Sequence, residues 1–401
     1  RGRAASAPRR IPPRPRSPPA PLCADRRPRR RDRRPSRGPS RPAAAMGSSW
    51  LLPAAALAAA WVLWSAVGAP PRLGGWLEAA SGLLVGWTAP PSAPGPRAAA
   101  TPVGRHGRLG VRGGAVVDSS GEPVRLQGVS LFWSQWSGQF WNKDVVNWLA
   151  SDWNVAVVRA AMGVESGGYL QNPDTEKARV SVVVDAATAA GVYVIIDWHD
   201  HNADQHLEQS KAFFSEMAQR YGSRPNVIFE IWNEPTQQSW TGQIKPYHEQ
   251  VVSVIREHSS NLIVLGTRTW SQDVDEASRD PVQGENLAYT LHFYAATHKG
   301  ELRDKAQAAL GAGAALFVTE WGTCEASGDG SLDLGEAATW LAFLAAHHIS
   351  SANWAIEDKA EACAALRPGT GGSGGWPAGE LTPSGAFVRA AIRGGSGPSP
   401  G

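Results

Sequence analysis

The stretch VYVIIDW at residues 192–198, with VIFEIWNE at 227–234 behind it, decides how this chain folds. Both are apolar and β-branched nearly throughout instead of alternating, the mark of a strand covered on both faces. Both then end in polar or aromatic residues, Asp197, Trp198 and His199 in one case, Asn233 and Glu234 in the other. Similar runs stand upstream at VRLQGVS (124–130) and VAVVRA (155–160). Downstream come LIVLGT (262–267), LAYTLHFY (287–294), ALFVTEW (315–321) and SSANWAI (350–356). Segments with helical spacing separate them, among them EQSKAFFSEMAQRYG and IKPYHEQVVSVIREH. Eight β-runs, each followed by a helix-like stretch, predict an α/β fold, a (β/α)8 TIM barrel over residues 103–394. An open doubly wound sheet is disfavoured because no Gly-rich phosphate loop follows the first run.

The remainder of the 401 residues reads differently. Residues 1–45 carry fifteen Arg against Asp25 and Asp32 and are too rich in Pro, Ser and Ala to pack a core. They read as disordered or as lying upstream of a true start at Met46. Residues 46–69 hold an apolar run from Trp50 to Val67 closed by small residues, a secretory signal pattern, so the expected location is extracellular. A membrane anchor through 50–67 is the rival. Residues 70–102 are a Pro/Ala/Gly linker, and 395–401 a flexible tail. From residue 46 onward acids outnumber bases, 34 to 24, which argues against nucleic acid as a partner. The eighteen Trp suit either flat apolar partners such as sugar rings or a Trp-rich core.

Chemistry-bearing residues collect where the runs end: Arg159, His199, Asn233, Glu234, His292, Tyr294, Glu320 and Trp354. In a closed barrel these ends converge on one face, where barrel enzymes hold their sites. Two Glu, 234 and 320, on opposite sides of a narrow mouth can flank one bond, as acetal hydrolysis requires. Arg159 and Tyr294 are expected to keep Glu320 ionised, while Glu234, beside neutral Asn233 and apolar walls, is expected to keep the higher pKa. A buried Arg159–Glu320 ion pair without catalysis is the bland alternative.

On these strings the region resembles glycoside hydrolase family 5, in particular its endoglucanase subfamily two. IFEIWNEP (228–235) is similar to the family's acid/base motif and FVTEWGT (317–323) to its nucleophile motif. VVRAAM, VIIDWH, GTRTWSQDV, HFYAATH and ANWAIEDK follow in the family's order. The resemblance implies a retaining endo-β-1,4-glucanase, with Glu234 as acid/base and Glu320 as nucleophile. Arg159, His199, Asn233, His292 and Tyr294 would then surround the reacting sugar. It also implies stacking platforms at Trp136, Trp270 and Trp354, and hydrogen bonds to a distal glucose from Lys359 and Glu361. Phe132 stands where many relatives have a His, which removes one expected bond to substrate. A mannan- or xyloglucan-directed enzyme and an inactive glucan-binding barrel are the other readings. The expected partner is the polysaccharide alone, with no metal, no cofactor and no obligate protein partner, the chain acting as a monomer.

Cys23 precedes Met46, which leaves Cys324 and Cys363 in an exported chain. They follow the seventh and eighth runs, whose loops are neighbours in a barrel, so a disulfide is expected, with two separate buried thiols as the alternative.

Overall fold

The computed structural model describes residues 100–394. The expected 1–45 segment, the 46–69 signal, all but the end of the 70–102 linker, and the 395–401 tail lie outside the described residues, as does Cys23.

Strands β1 (Gly110–Arg112) and β2 (Ala115–Val117) form an antiparallel hairpin. The first four barrel strands are β3 (Gln127–Leu131), β4 (Val157–Gly163), β5 (Tyr193–His199) and β6 (Val227–Glu230). The other four are β7 (Ile263–Leu265), β8 (Leu287–Tyr294), β9 (Leu316–Gly322) and β10 (Ser350–Ile356). They pair in parallel in chain order, and β10 returns to β3 to close the ring. Helices Pro173–Ala190, Leu207–Tyr221, Lys245–Arg256, Gly300–Gly311 and Leu334–Ala346 fill the crossovers. The expected (β/α)8 barrel is the observed fold.

Alternation along the strands divides the core in two. Val158, Val194, Ile196, Phe229, Leu291 and Val318 face outward and pack with the helices. Val157, Tyr193, Ile195, Ile228, Val264, Ala288 and Phe317 face inward. Leu109 and Val116, at the hairpin, join that inner cluster and cap the lower end of the barrel. Most described Trp serve the outer core: Trp153, Trp198, Trp232, Trp240 and Trp340 are fully buried, whereas Trp136 and Trp270 are exposed. The Trp surplus is therefore largely packing.

Two local departures from regular strands shape the mouth. First, β6 stops at Glu230, so Glu234 lies beyond the strand and not at its end. Trp232 turns into the outer core, and the following backbone hangs from neighbouring loops: Asn233 N donates to Trp198 O at 3.2 Å and Glu234 N to Asp200 O at 3.3 Å. Second, the pairing of β8 with β9 slips between Thr290 and His292. Such a bulge re-aims side chains. Here Thr319 and Glu320, consecutive in sequence, both bond groups inside the mouth, and Trp321 then returns to the outer core. Among the described residues no helix is long and apolar enough to cross a membrane.

Candidate active site

Arg159 rises from β4 and is fully buried. A guanidinium out of water must be paired, and its five N–H donors let one side chain serve several acceptors. Nε donates to Glu230 Oε2 at 2.7 Å and Nη1 to Glu320 Oε2 at 2.9 Å. Nη2 reaches Glu230 Oε1 at 3.0 Å, Asn233 Oδ1 at 2.6 Å and Asp197 Oδ2 at 2.9 Å. Burial opposes the charge on Arg159, but Asp197, Glu230 and Glu320 together outweigh it and keep the group protonated. Asp197 also holds His199 Nδ1, at 2.7 Å.

Glu320 is gripped from two sides, since Tyr294 O–H donates to its Oε1 at 2.6 Å while Arg159 holds Oε2. Glu234 lies against two imidazoles, with His292 Nδ1 2.9 Å from Oε1 and His201 Nε2 3.2 Å from Oε2. One oxygen of Glu234, one of Glu320 and a nitrogen of His292 all lie within 4.8 Å of one another.

The hydrogen-bond pattern fixes where a proton sits. Thr319 has one hydroxyl hydrogen, donated to Glu230 Oε1 at 2.7 Å. The 2.9 Å contact between Thr319 Oγ1 and His292 Nε2 must then be donated by the imidazole. Neutral His292 with Nε2–H has a bare Nδ1, which can meet Glu234 only if that carboxyl is protonated. The alternative is an imidazolium beside a carboxylate. Either way, one proton lies on the Glu234–His292 contact.

This corrects the expected order of acidities. Burial pushes Glu234 up, but the bonds from His201 and His292 outweigh it and leave the carboxyl below its ordinary range. His292 is pushed up to about 9: burial opposes its charge, and Glu320, Glu230 and Glu234 favour it. Glu320 is raised by burial and by the Glu234 charge, against His292, Arg159 and Tyr294. The sequence expectation treated Glu234's neighbours as neutral, whereas folding brings two imidazoles to it.

The mouth opens on both sides of this pair. A cavity of about 500 Å³ is lined by Glu234, Trp270, Gln272, His292, Tyr294 and His298, with Thr269 and Ala326. Trp270 is 43% exposed there, held by three consecutive left-handed residues, Thr269, Trp270 and Ser271. Their strained backbone is anchored by bonds from Thr269 N to Thr236 O and from Trp270 N to Pro235 O. Elsewhere on the rim, Trp136 is 56% exposed, while Trp354 is nearly buried and stacks on His199 with centroids 5.1 Å apart. Trp354 is thus a wall more than an open platform. Phe132 lies 5.2 Å from the Trp354 ring and 6.4 Å from Trp136, so its ring braces both. Lys359 pairs with Glu361 and sits over Phe132. Cys324 and Cys363 are joined, with Cα atoms 5.4 Å apart, as the loop adjacency suggested.

Sequence reasoning missed His201, Trp133, Glu230 and Thr319 as site components, and placed Asp197 at a run end without giving it a role. Trp133 packs edge-on to His199 at 4.1 Å. Asp197 and Glu230 had a legible signal, a charge inside an otherwise apolar strand, which demands a buried partner. Glu165, Asp200 and His206 also cluster at metal-ligand spacing, but Asp200 Oδ2 is already taken by His206 Nδ1 at 2.7 Å and by Trp198 Nε1.

Two carboxylates this close, one sharing a proton and one gripped by a guanidinium, suit cleavage of an acetal. A parallel barrel offering them at its mouth is the frame of the barrel glycoside hydrolases. Residues 117–360 match the family described as cellulase (glycosyl hydrolase family 5). Endoglucanase A of Evansella cellulosilytica is 48% identical over 279 residues, covering 68% of this chain and 57% of that protein. Endoglucanase Z of Dickeya dadantii is 50% identical over 280 residues, covering 68% and 64%. The chain thus spans less than two thirds of either relative's length. The catalytic domain of Thermobifida fusca endoglucanase Cel5A superposes with a TM-score of 0.70 at 36% identity, covering 73% of this chain and 99% of that domain. The chain belongs to the cellulase family, glycosyl hydrolase family 5.

Proposed function

We propose that this chain is a secreted, retaining endo-β-1,4-glucanase that cuts internal bonds of cellulose or related β-glucans. The observation that carries the reading is the approach of Glu234 and Glu320 to within 4.8 Å, oxygen to oxygen. So close an approach matches the short carboxyl separation of double displacement and not the wider one that admits an attacking water beside the sugar.

Glu320 is the nucleophile and Glu234 the acid/base. In the first step a Glu320 oxygen bonds the anomeric carbon as the glycosidic oxygen departs, taking the proton held between Glu234 and His292. With that proton on Glu234, the charge that raises Glu320 is absent, so one negative charge resides on the nucleophile. In the second step water attacks the same carbon, its proton passes to Glu234, and Glu320 leaves as carboxylate. Asn233, His199 and Tyr294 line the reacting sugar, with Arg159 holding the nucleophile beneath it. Trp136, Trp270 and Trp354 bound the glucan, and Lys359 with Glu361 bonds a distal glucose. The chain is read as acting as a monomer. The 46–69 segment would direct export, and the Cys324–Cys363 bond suits an oxidising compartment.

Reducing-sugar release from soluble β-1,4-glucan, mannan and xyloglucan tests the proposal. Preference for glucan is expected, and greater activity on either other polymer would reassign the substrate. Binding without release would make the barrel a lectin.

A further inference from the structure

The disulfide touches the catalytic machinery at one place. Tyr294, which donates to Glu320, clusters with Cys324, Cys363, Phe132 and Trp354. Gly322 shows how tight that cluster is. A Cβ there would fall 2.3 Å from Tyr294 Cδ1 and 2.7 Å from Cys363 Sγ, so the tyrosine ring and the sulfur meet across a bare backbone. Both cysteines are buried. The flanking backbone is tied in the same place, with Cys324 N donating to Cys363 Sγ at 3.3 Å, Ala295 N to Gly322 O at 2.8 Å and Ala296 N to Cys324 O at 3.0 Å.

We propose that the Cys324–Cys363 disulfide is a positioning element for Tyr294, and through it for the charge on Glu320. The inference rests on the reading of Glu320 as nucleophile. A tyrosine hydroxyl at 2.6 Å stabilises a carboxylate only while the ring is held in place, and the sulfur is the wall behind that ring. Without the bond, the loops after β8, β9 and β10 lose their common anchor and the ring gains room to turn away. Glu320 then keeps Arg159 from β4 but loses its second donor. Its other ionisable neighbours are Glu234, His292 from β8 and His201 from the loop after β5, with Asp197 and Glu230 behind the guanidinium. On the tyrosine side, His298 Nδ1 accepts from Tyr294 N at 2.9 Å, and Lys359, paired with Glu361, sits over Phe132. Loss of a bond that stabilises the anion makes Glu320 ionise at higher pH, so the acid limb of the rate profile moves up.

The test uses a Cys324→Ala/Cys363→Ala variant and, separately, the wild-type chain reduced by a phosphine below its unfolding temperature. Each is assayed for kcat, KM and pH profile on cellotetraose, with and without Tyr294→Phe. Losing the bond should lower kcat by about tenfold with a smaller change in KM, and raise the acid limb by about one pH unit. In the Tyr294→Phe background neither quantity should move further. If the double variant does not fold, the reduced wild type carries the measurement. A folded, bond-free chain with an unmoved limb, or an equal shift in the Tyr294→Phe background, overturns the positioning role. A wild-type chain inactive on every β-glucan would instead sink the hydrolase reading.

Discussion

His292 Nδ1 and Glu234 Oε1 hold one proton between them across 2.9 Å, because the other nitrogen of His292 is committed to Thr319. With His292 raised to about 9, the pair keeps that proton through neutral pH and loses it as pH rises toward that value. His292→Asn should therefore shift the alkaline limb of kcat/KM for cellotetraose downward. An aryl cellobioside with a good leaving group needs no acid in the first step, and its kcat/KM should keep the wild-type limb. Equal shifts for both substrates would disconnect His292 from the acid.

Glu320→Gln keeps the shape of the side chain and removes its charge. Turnover should fall on the order of a thousand-fold or more, with glucan binding retained. For the wild type, the first product seen by NMR should be the β-anomer; an initial α-anomer would mean inversion.

Trp136 and Trp340 make a contrasting pair, one 56% exposed and the other fully buried. Trp136→Ala should raise KM for cello-oligosaccharides while altering stability by less than about 0.5 kcal/mol. Trp340→Ala should cost about 3–5 kcal/mol of stability. Unchanged affinity in the Trp136 variant would remove it from the substrate path.

Glu357, at the end of β10, is buried and neither carboxylate oxygen has a partner. Burial, with help from Glu361 and Asp358, pushes it up to about 8. The folded state thus holds a proton that the unfolded chain releases near the ordinary value of 4.5. Stability should fall as pH rises between those values, by about 1.4 kcal/mol per unit. Glu357→Gln should flatten that slope in denaturant titrations at pH 5 to 8; an unchanged slope would place the titration elsewhere.

Much of the architecture was legible because barrel strands are uniformly apolar and end in chemistry: β8 and β10 were bounded to the residue, and the proposed catalytic pair, Glu234 and Glu320, stood at run ends. What was hidden arises from departures from regular pairing. The slip in β9 puts Thr319 and Glu320 to work side by side, which a two-residue period does not foretell. His201 became visible only when the β5 loop met the β6 loop at Glu234. The acidity of Glu234 was misread for the same reason, since its governing neighbours are distant in sequence.

Arg159 draws its acceptors from strands that the chain makes far apart in time. Asp197 and Glu230 arrive with β5 and β6, but Glu320 arrives only with β9. A fragment ending before β9 would strand Thr319's acceptor, Glu230, beside a cation missing one of its anions. A fragment beginning after β6 would carry Glu320 with no guanidinium at all. Neither half can satisfy its interior charges alone, so splitting the barrel at the β6–β7 loop should give pieces that acquire native structure only when mixed.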